Sequence, residues 1–146
     1  MIVGSEMGNA EMVGDIARDH LESEGHAVQL STEPDLDLLM SSNHRAVLVI
    51  TSTTGLGDVP QNIEPLYDAL REESADLSHL RYGIVGMGDR NYRESYCGGP
   101  RRMDEALQAR GAIRVGERLE LDATDNPTPD EDAVAWLPAW LAALEA

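Results

Sequence analysis

The chain has 146 residues, 42% of them hydrophobic, enough for about one domain with a layered core. No strictly apolar run, Ala46-Val47-Leu48-Val49-Ile50 among them, is long enough for a membrane span, and the N-terminus lacks a signal peptide's basic-then-apolar pattern, so a cytoplasmic protein with no membrane segment is expected. With 11 basic against 27 acidic residues, the formal charge of −16 argues against nucleic acid and anionic membranes as partners and favours basic protein surfaces, although solubility or adaptation to salt explains it equally simply.

At the start of the chain, Met1-Ile2-Val3 runs into Gly4-Ser5-Glu6-Met7-Gly8-Asn9-Ala10-Glu11 and then into a helical pattern. A strand, a glycine-bearing turn and a helix start gather backbone N–H groups around a phosphate. An NTPase loop needs a lysine to reach the terminal phosphates, and the chain has none. A dinucleotide fingerprint needs G-x-G-x-x-G, whereas Gly4 and Gly8 have no third glycine at the required offset. Two readings remain: a capped helix start, or a loop holding one phosphate with its amides, the Ser5 hydroxyl, the Asn9 side chain and the helix dipole.

Met12, Val13, Ile16, Ala17 and Leu21 recur at helical spacing until Gly25, which predicts a helix over 8–24 facing inward through these residues. Residues 27–31 alternate like a strand, and 34–42 form a short connection with helical character. The apolar, β-branched run over 45–51 predicts a strand buried on both faces, ending in Ser52-Thr53-Thr54-Gly55-Leu56-Gly57-Asp58. A helix over 61–73 turns Ile63, Leu66, Tyr67 and Leu70 inward. A further buried strand over 80–86 ends in Gly86-Met87-Gly88-Asp89-Arg90-Asn91-Tyr92. Beyond it lies Cys97, a single cysteine that excludes an internal disulfide. With the four histidines it makes no metal-ligand spacing, so no metal site is expected. The pattern closes with a helix over 100–110, a strand over 113–121, and a helix over 131–145 that buries Trp136 and Trp140 and is kinked at Pro138.

Strands alternating with helices specify an α/β fold, a doubly wound five-stranded parallel sheet in the order 2-1-3-4-5, formed by residues 1–146 as a single domain. In that order the loops at 4–10, 52–58 and 86–98 leave the carboxyl edge and meet at the switch point where such sheets bind ligands. The first supplies a phosphate site. The other two supply glycines for close approach, polar groups and an aromatic, Tyr92, which suit a flat, partly polar ring attached to that phosphate.

These motifs, Gly-Ser-x-x-Gly-x-Ala-Glu, Ser-Thr-x-Gly-x-Gly-Asp and Gly-x-Gly-Asp followed by Tyr and Cys-Gly, resemble the three FMN-binding loops of flavodoxins. The likeness is strongest to short MioC-type flavodoxins and to the FMN domains of diflavin reductases, and it covers nearly the whole chain. The resemblance implies that Ser5, Glu6, Met7, Gly8, Asn9 and Ala10 wrap the FMN phosphate. It implies that Thr53, Thr54, Gly55, Leu56 and Gly57, with Met87, Gly88, Asp89, Tyr92, Tyr96, Cys97 and Gly98, grip the isoalloxazine. Tyr92 matches the stacking aromatic, and Gly55 the glycine whose carbonyl turns toward flavin N5 as a proton arrives with the first electron. Cys97 is expected to pack rather than to do redox chemistry.

The chain departs from the flavodoxin pattern at several positions. Met7 and Ala10 stand where many flavodoxins place phosphate-binding threonines, and Thr54 where they set a second aromatic. Weaker FMN binding and a less negative final potential than usual are expected. Only three residues precede Gly4, fewer than the family usually has, which is expected of a truncated start or a modestly stable central strand.

The resemblance implies a low-potential one-electron carrier, not an enzyme, cycling between a basic-surfaced NAD(P)H-dependent flavodoxin reductase and basic electron-acceptor enzymes. Two alternatives stay open at this point. One is an FMN-dependent NAD(P)H quinone or azo reductase using the space at Thr54. The other is an FMN-free regulatory or binding module marked by Met7 and Ala10.

Overall fold

The computed structural model describes residues 1–5, 8–41, 46–53, 57–72, 74–88, 97–122 and 128–145. Strands β1 (Ile2–Gly4), β2 (Val47–Thr51) and β3 (Arg81–Gly88) lie parallel in that order, and β4 (Ile113–Arg114) and β5 (Leu119–Asp122) both pair parallel with β3. Among the described residues five helices flank them: α1 (Asn9–Ser23), α2 (Leu36–Met40), α3 (Glu64–Glu72), α4 (Gly98–Ala109) and α5 (Pro129–Glu145). A 3-10 turn (Gln61–Ile63) leads into α3.

Successive residues of a strand point to opposite faces, so the apolar runs feed two cores. Ile2, Val47, Val49, Tyr82 and Ile84 pack with Leu39, Leu66, Leu70, Met103 and Leu107 of α2, α3 and α4. Val3, Leu48, Ile50, Val85 and Met87 pack on the other face with Val13, Ala17 and Leu21 of α1 and with Leu137, Trp140 and Leu144 of α5. This is the doubly wound three-layer arrangement expected.

The expected elements hold, with differences of detail. Residues 27–31 occupy the place of the second strand in the order 2-1-3-4-5, but only Ser31 forms a β-bridge. Its N–H donates to the Met1 carbonyl at 2.9 Å, and its own carbonyl accepts from Val3 at 3.0 Å. β1 is only three residues long and offers a neighbour little ladder to extend.

The stretch 113–121 is two strands rather than one. Arg114 faces Tyr82 and Leu119 faces Val85, so residues 115–118 stand opposite only residues 83–84, and the excess is absorbed in a bulge holding Gly116 at φ 74°.

Met12 is 45% exposed despite its helical spacing. The buried stripe of α1 runs through Ala10, Val13, Ala17 and Leu21, and Met12 is rotated about 100° from Val13. Trp136 is half-buried rather than buried, its ring stacked on the buried Trp140 with centroids 5.8 Å apart. The helix α5 continues through Pro138.

Candidate functional site

The three strands end together. Gly4 is in register with Thr51, and Thr51 with Gly86, and β3 continues two residues further, to Gly88 alongside Asp122 of β5. Met87 and Gly88, assigned to the third loop from sequence, are therefore strand residues. The Met87 side chain is 2% exposed and belongs to the core, so what it presents at the edge is backbone.

At the first loop, Ser5 Oγ accepts the Gly8 N–H at 2.9 Å. A serine hydroxyl that accepts one hydrogen bond still has its proton to donate. Gly8 is the N-cap of α1 with φ 84°, a conformation that L side chains rarely adopt. It brings no side-chain oxygen to the first-turn amides of α1, which leaves that positive helix end suited to an anion. Asn9 is exposed there. Ala10 is fully buried in the core beneath the loop, so its methyl faces inward and only its amide remains for a phosphate.

The second and third loops are joined to each other. The Thr53 hydroxyl donates to the Met87 carbonyl at 3.0 Å and accepts the Gly99 N–H at 3.3 Å, linking the end of β3 to the start of α4. Their backbones approach so closely that side chains are excluded. A Cβ on Gly98 would lie 2.7 Å from the Gly57 Cα and 2.8 Å from its carbonyl oxygen, and one on Gly99 would lie 2.6 Å from the Ser52 carbonyl oxygen. Cys97 precedes them at φ 51°, its thiol buried against Gly88. Among the described non-glycine residues it alone has a positive φ, a costly conformation of the kind that collects at ligand sites.

Behind the loops, the buried Asp104 of α4 accepts the Tyr82 hydroxyl at 2.5 Å and the Arg118 guanidinium at 2.7 Å, and also pairs with Arg114. This ties α4 to β3 and to the β4–β5 bulge, fixing where the helix start falls. Burial first, and then the Asp104 carboxylate, push the Tyr82 hydroxyl well above its ordinary pKa. The surface pair Arg102 with Asp58 adds a solvent-screened link between α4 and the second loop.

Of the residues singled out from sequence, Ser5, Gly8, Asn9, Ala10, Thr53, Gly57, Met87, Gly88, Cys97 and Gly98 fall at this edge. Glu6, Met7, Thr54, Gly55, Leu56, Asp89, Tyr92 and Tyr96 lie outside the described residues. One residue was missed. Asn62, in the 3-10 turn, accepts the Ser5 N–H at 3.0 Å across 57 positions of sequence, a contact no local spacing signals.

A cavity of about 380 Å³ opens at the opposite, amino end of the sheet between Ile2, Val28, Val47, Trp140 and Leu144, remote from the glycine loops. Its lining mixes these apolar side chains with His26, Gln29 and Glu145 and includes no residue of the glycine loops. Among the described residues no cluster of His, Cys, Asp and Glu is arranged to hold a metal, and no helix is long and apolar enough to cross a membrane.

Comparison with known proteins agrees with this geometry. The flavodoxin family model matches residues 1–136. The chain belongs to the flavodoxin family. It is 38% identical to flavodoxin YqcA of Pectobacterium carotovorum subsp. carotovorum over 146 residues, covering 100% of this chain and 96% of that protein. It is 37% identical to protein MioC of Escherichia coli (strain K12) over 145 residues, covering 99% and 97%. A cysteine-to-alanine mutant of the flavodoxin from Pseudomonas aeruginosa superposes with a TM-score of 0.88 at 36% identity, covering 99% of this chain and 97% of that one. Flavodoxins are electron-transfer flavoproteins that carry FMN rather than enzymes that convert a substrate, which sets aside the quinone or azo reductase alternative.

Proposed function

We propose that this family member binds FMN at the carboxyl edge of the sheet and works as a low-potential one-electron carrier in the cytoplasm. The observation that carries the reading is the convergence there of three features: an α1 start with glycine at its N-cap, the Ser5 hydroxyl bound to Gly8, and two further loops locked together by Thr53. A phosphate monoester suits the first loop and a flat ring suits the other two.

In this reading Ser5 donates its proton to a phosphate oxygen, and the amides of Gly8, Asn9 and Ala10 supply further donors, stabilised by the helix dipole. With the Ala10 methyl in the core, binding relies on amides where many flavodoxins use threonine hydroxyls. Thr53, Gly57, Cys97 and Gly98 form a rigid backbone wall for the ring, and by family match Tyr92 stacks on it and Gly55 faces N5. Bound FMN supplies the redox chemistry, taking up and releasing electrons one at a time. The chain's task is to hold it at an exposed edge and to set its potential. A net charge of −16 disfavours adding negative charge to the ring and favours basic partners, a basic-surfaced NAD(P)H-dependent flavodoxin reductase as donor and basic acceptor enzymes.

A visible-spectrum titration of the purified protein with FMN tests this. The expected outcome is a saturable shift of the flavin bands with quenched fluorescence at one FMN per chain. Unchanged spectra at high protein excess would reject the reading.

A further inference from the structure

We infer that Asn62 is a positioning residue for the phosphate subsite, holding the first loop in its anion-binding shape without itself touching the phosphate. The inference rests on the FMN reading above and extends it to a residue outside the three loops.

The Asn62 carboxamide is used almost to capacity. Its Oδ1 accepts the Ser5 N–H at 3.0 Å, and its Nδ2 donates to the Val3 carbonyl at 2.7 Å and to the Thr32 carbonyl at 2.8 Å. Two carbonyls and one amide N–H leave a single orientation for the group, with NH2 toward the carbonyls and oxygen toward Ser5. One side chain thus joins the end of β1, the first loop residue and the segment that flanks β1.

Its own position is secured by its neighbour. Ile63 is fully buried and fills the space that a Cβ on Gly4 would need, its Cδ1 lying 2.7 Å from that point. Residues 62 and 63 therefore hold the end of β1 by a polar and an apolar contact together.

The consequence falls on Ser5. With its N–H anchored to Asn62, the Ser5 backbone is fixed where its Oγ receives the Gly8 N–H at 2.9 Å. That bond in turn sets the direction of the remaining hydroxyl proton and helps hold Gly8 in its left-handed conformation at the start of α1. Loss of Asn62 leaves the Ser5 N–H and two carbonyls to water, and the loop is no longer shaped in advance for the anion.

The test compares FMN with riboflavin, which carries the same ring and no phosphate. Dissociation constants for both are measured by flavin fluorescence quenching with wild-type protein, Asn62→Ala and the milder Asn62→Ser, alongside the urea midpoint of each apo-protein. The expected result is an FMN affinity lowered on the order of tenfold with riboflavin affinity within about twofold of wild type, so that the preference for FMN collapses. A parallel loss of both ligands, or no loss of either, would overturn the inference and leave Asn62 a structural residue. Should Asn62→Ala fail to fold, the same ratio in Asn62→Ser decides. Failure of the wild-type protein to bind FMN would instead overturn the flavin reading and this inference with it.

Discussion

The two ends of the sheet are built from the same strands to different rules. At the carboxyl edge the residues are small and polar. Thr53 and Asn62 spend their hydrogen bonds on backbone groups of other segments, the Ser5 hydroxyl takes the Gly8 N–H of its own loop, and Gly98 and Gly99 let neighbouring segments touch. At the amino edge Ile2, Val47, Trp140 and Leu144 supply the apolar part of a cavity that His26, Gln29 and Glu145 also line, and stability there comes mainly from burial. One end is held mainly by directional contacts that fix shape; at the other, burial supplies most of the free energy, with hydrogen bonds such as Arg81 to the Leu144 carbonyl at 2.8 Å beside it. Substitutions at the two ends should therefore separate stability from ligand affinity.

The sharpest way to break that separation is at Trp140. Truncation by Trp140→Ala removes a buried indole that also stacks on Trp136, and is expected to cost about 3–5 kcal/mol of stability in urea unfolding of the apo-protein. FMN affinity of the folded fraction should stay within about twofold, and a large loss would show that the ends are coupled. Gly98→Ala should behave in the opposite way. Its new Cβ meets the Gly57 backbone, which has no far end to swing aside, so a stability cost of roughly 1–3 kcal/mol should accompany an FMN affinity lowered by tenfold or more.

Thr53→Val keeps the shape and deletes the hydroxyl that links Met87 to Gly99. A loss of about 1–3 kcal/mol, with several-fold weaker FMN binding in titration, is expected. The smallest effect is one of pH. The Tyr82 hydroxyl is raised above its ordinary pKa of 10.0, mainly by burial and next by Asp104, so the folded state favours its neutral form. The stability linked to it is fully present below pH 10 and is lost as pH rises beyond that value, because the unfolded chain releases the proton first. The urea midpoint should fall above pH 10, and Tyr82→Phe should remove part of that slope.

How much was legible in the sequence follows from the range of the contacts involved. The strands over 47–51 and 81–88 are continuous apolar runs because both faces are covered, and the local pattern states this directly. The division of 113–121 into β4 and β5 depends on how that segment pairs with β3, which no property of the segment reveals. At the site, the glycines between strands and helices lie at the carboxyl edge, and Thr53 lies there with them. What sequence withheld was orientation. Ala10 reads as a missing phosphate hydroxyl, yet its methyl faces the core, and Met87 reads as a ring contact although its side chain is buried. Asn62 looked like part of a helix start, since its partner lies 57 residues away.

The most direct measurement is a stepwise anaerobic reduction of the FMN-loaded protein, followed by its visible spectrum. Uptake is expected in two resolved one-electron stages, the second at the lower potential. A single two-electron stage, with direct oxidation of NADPH in the absence of any reductase, would contradict the assignment as a one-electron carrier.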